Sequence, residues 1–209
     1  MTNVKICGIT NLSDADHAVA CGADAIGFNF YSGSKRYVPP SQAGTIVNGL
    51  QKPVIKVGVF VNEDIEAIVA TISTAQLDAI QLHGDESSAF VEHLRGATDA
   101  SIIKVFRVTP GFIPQDVLDC VADAILLDHY SPIERGGTGR VLNFEIACSV
   151  SKLVPVMYLA GGLNPENVTE AIRTIRPFAV DVASGIESSP GRKDPEKVEA
   201  FIKAAKEAL

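Results

Sequence analysis

The chain has 209 residues and a net charge of -7, with 46% hydrophobic and 21% charged residues, the composition of a soluble globular protein rather than a disordered one. That length lets one domain, residues 1–209, bury its own core without staples. The acidic balance argues against a nucleic-acid or anionic-membrane partner, because polyanions attract a surplus of lysine and arginine.

The chain runs into a strand directly after Met1-Thr2-Asn3. No basic leader precedes it, and no apolar run is long enough to span a bilayer. Cys7, Cys21, Cys120 and Cys148 lack CxxC spacing, so neither a zinc site nor a redox pair is suggested, and the expected compartment is the reducing cytoplasm. Short apolar runs begin near Val4, Ala25, Val54, Asp78, Ile102, Ala124, Pro155 and Phe178. Helical-period stretches fill the intervals near 12–21, 40–50, 63–74, 86–95, 114–120, 143–151, 165–174 and 195–208. Such alternation implies a parallel sheet covered by helices. Asn164-Pro165 and Asp194-Pro195 each place a capping side chain before a proline at the first helical position. A short echo, Ala23-Asp24-Ala25-Ile26, Leu77-Asp78-Ala79-Ile80 and Ala122-Asp123-Ala124-Ile125, introduces the second, fourth and sixth strands. Alternate strands of an eight-stranded barrel share interior layers, which gives the echo a physical reason, although three short matches also arise by chance.

Eight β/α units either close into a barrel or stay open as a doubly wound sheet. An open nucleotide-binding sheet carries GxGxxG after its first strand, whereas this turn reads Cys7-Gly8-Ile9-Thr10. The glycines gather instead at Gly136-Gly137-Thr138-Gly139, Gly161-Gly162 and Ser184-Gly185, after strands six, seven and eight. Barrels commonly bind phosphate there, so the fold expected is a single (β/α)8 TIM barrel with a closed parallel sheet. Gly137, Gly139, Gly161, Gly162, Ser184 and Gly185 are the phosphate-site candidates, since glycine lets backbone N–H groups approach an anion closely. Singly, each loop is also an ordinary strand-to-helix turn.

Strand parity selects the reactive groups. In Val4-Lys5-Ile6-Cys7 the apolar Val4 and Ile6 face the helices, while Lys5 and Cys7 face the barrel interior. Cys7 then sits at the C-terminal rim, where barrel enzymes keep their active sites, although a cysteine taken at random is usually a small buried hydrophobe. Asp128 ends the sixth strand in phase with Ala124 and Leu126, and a carboxyl in a partly dry barrel mouth suits proton donation; a cap or an ion pair with Arg135 or Arg140 is its bland alternative. Arg36, in the long second loop, offers a planar fork for a carboxylate, but a solvated surface arginine is the commoner fate. His83 after the fourth strand either binds substrate or ties down its loop, and Asp181 on the eighth strand is a further rim carboxylate and substrate-binding candidate, with a structural hydrogen bond as its alternative. His17, His93 and His129 do not form metal-ligand spacing, so no metal is expected.

Lys5-Ile6-Cys7-Gly8-Ile9-Thr10 resembles the signature opening of phosphoribosylanthranilate isomerases, and the resemblance extends over essentially the whole chain. It continues through Ser34-Lys35-Arg36-Tyr37-Val38, Gln81-Leu82-His83-Gly84, Leu126-Leu127-Asp128, Gly136-Gly137-Thr138-Gly139, Leu159-Ala160-Gly161-Gly162-Leu163 and Val180-Asp181-Val182-Ala183-Ser184-Gly185-Ile186-Glu187. The resemblance implies an Amadori rearrangement of N-(5-phosphoribosyl)anthranilate in tryptophan biosynthesis, with no cofactor. It makes Cys7 the general base and Asp128 the general acid, gives Arg36 the anthranilate carboxylate, and leaves the phosphate to the late loops. Two departures stand out: Arg140 through Phe144 follows the glycine loop where relatives often carry Lys after the last glycine and Asp before the aromatic, and Ala183 replaces a frequent serine. A free thiol titrates near ~8.5, so Cys7 is expected to need dipoles or cations to pull it down, Lys5 being one candidate. Other phosphosugar barrels are the rival enzymes: an epimerase needs a His/Asp metal cluster, and a histidine-pathway isomerase resembles a two-Asp arrangement with Asp on its first strand. A silent phosphate- or protein-binding barrel is the rival of another class. A phosphosugar partner and a monomer, rather than a homodimer, complete the expectation.

Overall fold

The computed structural model describes residues 1–129 and 144–209. Among them are eight parallel strands: β1 (Asn3–Cys7), β2 (Ala25–Asn29), β3 (Ile55–Phe60), β4 (Ala79–Leu82), β5 (Ser101–Val108), β6 (Ala124–His129), β7 (Met157–Ala160) and β8 (Ala179–Val182). Each pairs with the next in chain order, and β8 returns to pair with β1, with Asp181 opposite Lys5, so the barrel is closed as expected.

Helices α1 (Leu12–Ala20), α2 (Pro40–Gly49), α3 (Ile65–Ala75), α4 (Ser88–Arg95), α5 (Phe144–Leu153), α6 (Val168–Ile175) and α7 (Pro195–Lys206) follow their strands. Their starts carry the expected chemistry at several points. Asn11 accepts from Asp14 N–H, Ser87 from Phe90 N–H, and Asp194 from both Glu196 and Lys197 N–H, satisfying donors that have no partner inside the helix. Two elements differ most from the sequence pattern. The helix expected from Pro165 begins at Val168, because Asn164 Oδ1 accepts from Glu166 and Asn167 N–H and closes a turn of its own first. The stretch expected as a helix at 114–120 is a 3-10 turn, Pro114–Asp119, with Val117 as its buried anchor, which is too little apolar contact to support a longer α-helix.

The barrel separates two apolar layers by parity. Outward residues such as Val4, Ile6, Ile26, Phe28, Ile80, Leu82, Ile125, Leu127, Leu159 and Val180 pack against the helices. Inward residues Ala25, Val57, Ala79, Ile103, Val105, Ala124, Leu126 and Ala160 fill the lumen.

The repeated entry motif has a structural cause. Asp24 Oδ2 accepts from Val4 N–H at 2.7 Å, Asp78 Oδ2 from Lys56 N–H at 2.8 Å, and Asp123 Oδ2 from Ile102 N–H at 2.8 Å. Each aspartate thereby caps the start of the odd strand that precedes it. The alanine after each aspartate, Ala25, Ala79 or Ala124, points into the lumen and is small enough to leave room there.

Candidate active site

Cys7 is the last residue of β1 and its parity partner Lys5 is fully buried in the lumen. Lys5 Nζ donates to Asp181 Oδ1 at 2.9 Å across the β1–β8 seam. Room for this cluster comes from Gly27, opposite Cys7 on β2: a Cβ there would lie 2.9 Å from Cys7 Sγ and 3.2 Å from Lys5 Nζ. Burial alone would lower Lys5, yet Asp181 and Cys7 beside it hold the ammonium above the usual lysine value, so it stays charged. Asp181 is thus the counter-ion of Lys5.

Burial pushes the Cys7 thiol up, while Lys5 and Lys193 pull it down and Asp181 adds to the rise; burial prevails. Lys5 does act on the thiol in the direction expected of it, joined by Lys193, but burial outweighs both. A partly dry site disfavours the thiolate more than the two ammonium groups favour it.

At the other side of the mouth, Asp128 continues the inward phase of Ala124 and Leu126 and pairs in register with the lumen residue Ala160. His83 follows β4 and its Nε2 lies 3.1 Å from Asp128 Oδ2. Gln81 Nε2 lies 3.1 Å from His83 Nδ1, and Arg107 Nη2 donates to the His83 carbonyl at 2.8 Å. Where the Gln81 amide donates to Nδ1, Nε2 is the ring nitrogen left to donate to Asp128. Gln81 Oε1 is buried and has no hydrogen-bond partner among the described residues. His83 therefore meets Asp128 directly, a contact that strand parity cannot reveal.

Arg36 does not hang free in solvent. Its Nε and Nη2 donate to Glu187 Oε1 and Oε2 at 2.8 and 2.6 Å, a bidentate pair. Its stem crosses the α-carbon of Gly8, which has a φ of +75° and where a Cβ would lie 2.5 Å from Arg36 Cδ. Glycine at position 8 thus both turns the chain out of β1 and lets Arg36 lie beside Cys7.

Glu187 belongs to a hairpin after β8, formed by β9 (Glu187–Ser189) and β10 (Arg192–Lys193). Lys193, opposite Glu187, is buried. Its Nζ donates to Cys7 O at 2.6 Å, Ala183 O at 3.1 Å and Glu187 Oε1 at 3.1 Å. Burial lowers Lys193 from its ordinary value, with Glu187 and Cys7 opposing. Burial would raise Glu187, but Arg36 and Lys193 hold it below the usual carboxylate range. Sequence reading gives these two residues no role. The signal available was Pro190-Gly191, a turn dipeptide that places Glu187 and Lys193 across from one another.

The loops after β7 and β8 meet. Gly161 and Gly162 take left-handed conformations, φ +87° and +71°. Gly185, in the 3-10 turn Ser184–Ile186, packs so closely on the Leu163 carbonyl oxygen that no side chain fits there. Gly161, Gly162, Ser184 and Gly185 are thus brought together at one rim. Gly137 and Gly139, with Arg135 and Arg140, lie outside the described residues.

A family model described as N-(5'phosphoribosyl)anthranilate (PRA) isomerase matches residues 4–204. An N-(5'-phosphoribosyl)anthranilate isomerase of Geobacter metallireducens is 47% identical over 206 residues, 99% of this chain and 100% of the relative. The crystal structure of mutually generated monomers of a dimeric enzyme of this kind from Thermotoga maritima superposes with a TM-score of 0.84 at 40% identity, covering 99% of both chains. A crystal structure of phosphoribosyl anthranilate isomerase in complex with reduced 1-(o-carboxyphenylamino)-1-deoxyribulose 5-phosphate has the same TM-score of 0.84, 40% identity and 99% coverage of both chains.

Proposed function

The chain belongs to the N-(5'-phosphoribosyl)anthranilate isomerase family, and from that premise we propose that Cys7 is the general base and Asp128 the general acid of its reaction. The reaction converts N-(5'-phosphoribosyl)anthranilate into 1-(o-carboxyphenylamino)-1-deoxyribulose 5-phosphate in tryptophan biosynthesis. The observation that carries the reading is the rim itself: Cys7, the last residue of β1, and Asp128, the last but one of β6, hold inward-facing positions, one beside two ammonium groups and the other touching His83.

Asp128 gives a proton to the furanose ring oxygen as the lone pair of the anomeric nitrogen expels it. The resulting Schiff base acidifies the neighbouring carbon, C2. Cys7, as thiolate, takes the C2 proton, and the electron pair forms the C1–C2 double bond while the imine nitrogen becomes an amine. The enaminol then takes a proton at C1 from the Cys7 thiol while its C2 hydroxyl proton leaves to Asp128 or solvent, which gives the C2 ketone of the aminoketose and restores both groups. All electrons remain within the substrate. Acid and base each contribute roughly 10²–10⁴ in rate. Lys5 and Lys193 stabilise the thiolate; His83 orients the carboxyl of Asp128.

Glu187 occupies the Nε–Nη2 edge of Arg36, so Nη1 is the end directed to the anthranilate carboxylate. Arg36→Met should mainly raise KM, by about tenfold or more for a lost charge-assisted hydrogen bond, and leave kcat within a few-fold. An unchanged KM removes Arg36 from that role. The loops carrying Gly161, Gly162, Ser184 and Gly185 hold the phosphate; the phosphate role expected of Gly137 and Gly139 lies outside the described residues.

A monomer is proposed as the working unit, whereas the Thermotoga maritima relative is described as dimeric. The free thiols Cys7, Cys21, Cys120 and Cys148 fit a cytoplasmic setting. Among the described residues no helix is long and apolar enough to cross a membrane. The activity is tested by generating the substrate in place from anthranilate and phosphoribosyl pyrophosphate and following the loss of its fluorescence. Rapid loss on adding the protein is expected; loss no faster than in the blank refutes the assignment.

A further inference from the structure

A buried Lys and a buried Glu are expensive to place, and a hairpin that only closed the chain could be held by apolar contacts. Glu187 and Lys193 are nevertheless both buried, and their hydrogen-bonding capacity is directed at two groups of the rim. The three N–H groups of Lys193 go to Cys7 O, Ala183 O and Glu187 Oε1. Glu187 Oε1 also accepts from Arg36 Nε and Gly191 N–H, and Oε2 accepts from Arg36 Nη2. An unbroken chain of bonds therefore runs from the backbone of Cys7 through Lys193 and Glu187 to the guanidinium of Arg36. Its ends lie 29 residues apart in sequence (36 − 7), yet the link runs through a hairpin near the other end of the chain.

We propose that the Glu187–Lys193 hairpin is a positioning device for the isomerisation, Lys193 fixing the strand end that carries the Cys7 thiol and Glu187 fixing the fork of Arg36, so that base and carboxylate holder are set relative to one another. The inference rests on the reading of Cys7 as base and Arg36 as carboxylate holder. Neither Lys193 nor Glu187 touches the reacting atoms; both act through another residue. The Ala183 carbonyl on the same ammonium ties the end of β8 to the end of β1, where the phosphate loop begins. Among the described residues, the charged groups facing Cys7 are Lys5 on its own strand, Asp181 on β8, Lys193 on β10 and Arg36 from the loop after β2. Removing Lys193 takes away one of the cations that favour the thiolate.

The test is the pH dependence of Cys7 alkylation by iodoacetamide, read on the Cys7 peptide by mass spectrometry, alongside kcat and KM. Lys193→Met is expected to move half-maximal alkylation upward by about one pH unit or more and to lower kcat by about tenfold or more, with a smaller rise in KM because Glu187 loses one of its partners, while Lys193→Arg recovers part of each. Glu187→Gln, which keeps the shape, is expected to raise KM several-fold and leave kcat close to wild type. A Lys193→Met protein that loses only thermal stability, with the alkylation profile and kcat of wild type, overturns the proposal. Should Lys193→Met not fold, an unchanged KM in Glu187→Gln overturns it instead. Cys7→Ala separates the two layers of argument: an active Cys7→Ala enzyme sinks the base assignment, whereas an inactive one beside an unmoved Lys193→Met profile sinks only the role of the hairpin.

Discussion

Replacing Cys7 with alanine is expected to lower kcat by about 10²–10⁴, the usual contribution of a positioned general base, while KM stays within a few-fold of wild type. The thiol is the one ionisable group that β1 presents at the rim with Lys5 below and Lys193 beside it. Alanine keeps the backbone carbonyl that Lys193 holds, so the strand end and its hydrogen bonds survive the change. The loss therefore reads proton abstraction from C2 and little else. Steady-state rates from the in-place fluorescence assay give the answer, and a wild-type kcat in Cys7→Ala removes the base. The same thiolate requirement fixes a direction with pH: because burial holds the thiol above its ordinary value, the reactive fraction grows as pH rises through the neutral range.

Asp128→Asn is expected to cost a similar factor, about 10²–10⁴ in kcat. The substitution is nearly isosteric, and the Asn carbonyl oxygen can still accept from His83 Nε2, at the place where Asp128 Oδ2 now sits 3.1 Å away. Folding and substrate binding are thereby preserved, but the side chain no longer has an acidic proton for the ring oxygen. Measuring kcat and KM together with the thermal midpoint separates the cases. A large fall in kcat with an unshifted midpoint supports the acid; a kcat within a few-fold of wild type refutes it.

Parity made half of this site legible in the sequence. The inward direction of Lys5 and Cys7 follows from four residues of one strand, and that of Asp128 from its phase with Ala124 and Leu126, because a strand's two faces are a local property. The closed barrel followed from eight repeated units and from where the glycines lie. What joins the side chains was not legible, because it depends on how the barrel closes. Lys5 finds Asp181 across 176 residues, Arg36 finds Glu187 across 151, and Lys193 finds the Cys7 carbonyl across 186. No periodicity carries such pairings. The same holds for Asp128 on β6 and His83 just after β4, which lie 45 residues apart at the ends of strands that are not neighbours. The Asp-Ala-Ile echo lies between these extremes: its repetition was visible, but its cause, an aspartate capping the preceding odd strand, needed the register.

The arrangement predicts that one small sugar derivative bridges a thiol and a carboxyl group across a single mouth. A crystal structure of this chain with reduced 1-(o-carboxyphenylamino)-1-deoxyribulose 5-phosphate measures that directly. Cys7 Sγ should approach the carbon chain near C2, and an Asp128 oxygen should lie within about 2.6–3.2 Å of the hydroxyl that derives from the ring oxygen. A ligand seated with either group turned away, beyond the reach of even one bridging water, would contradict the assignment of both protons.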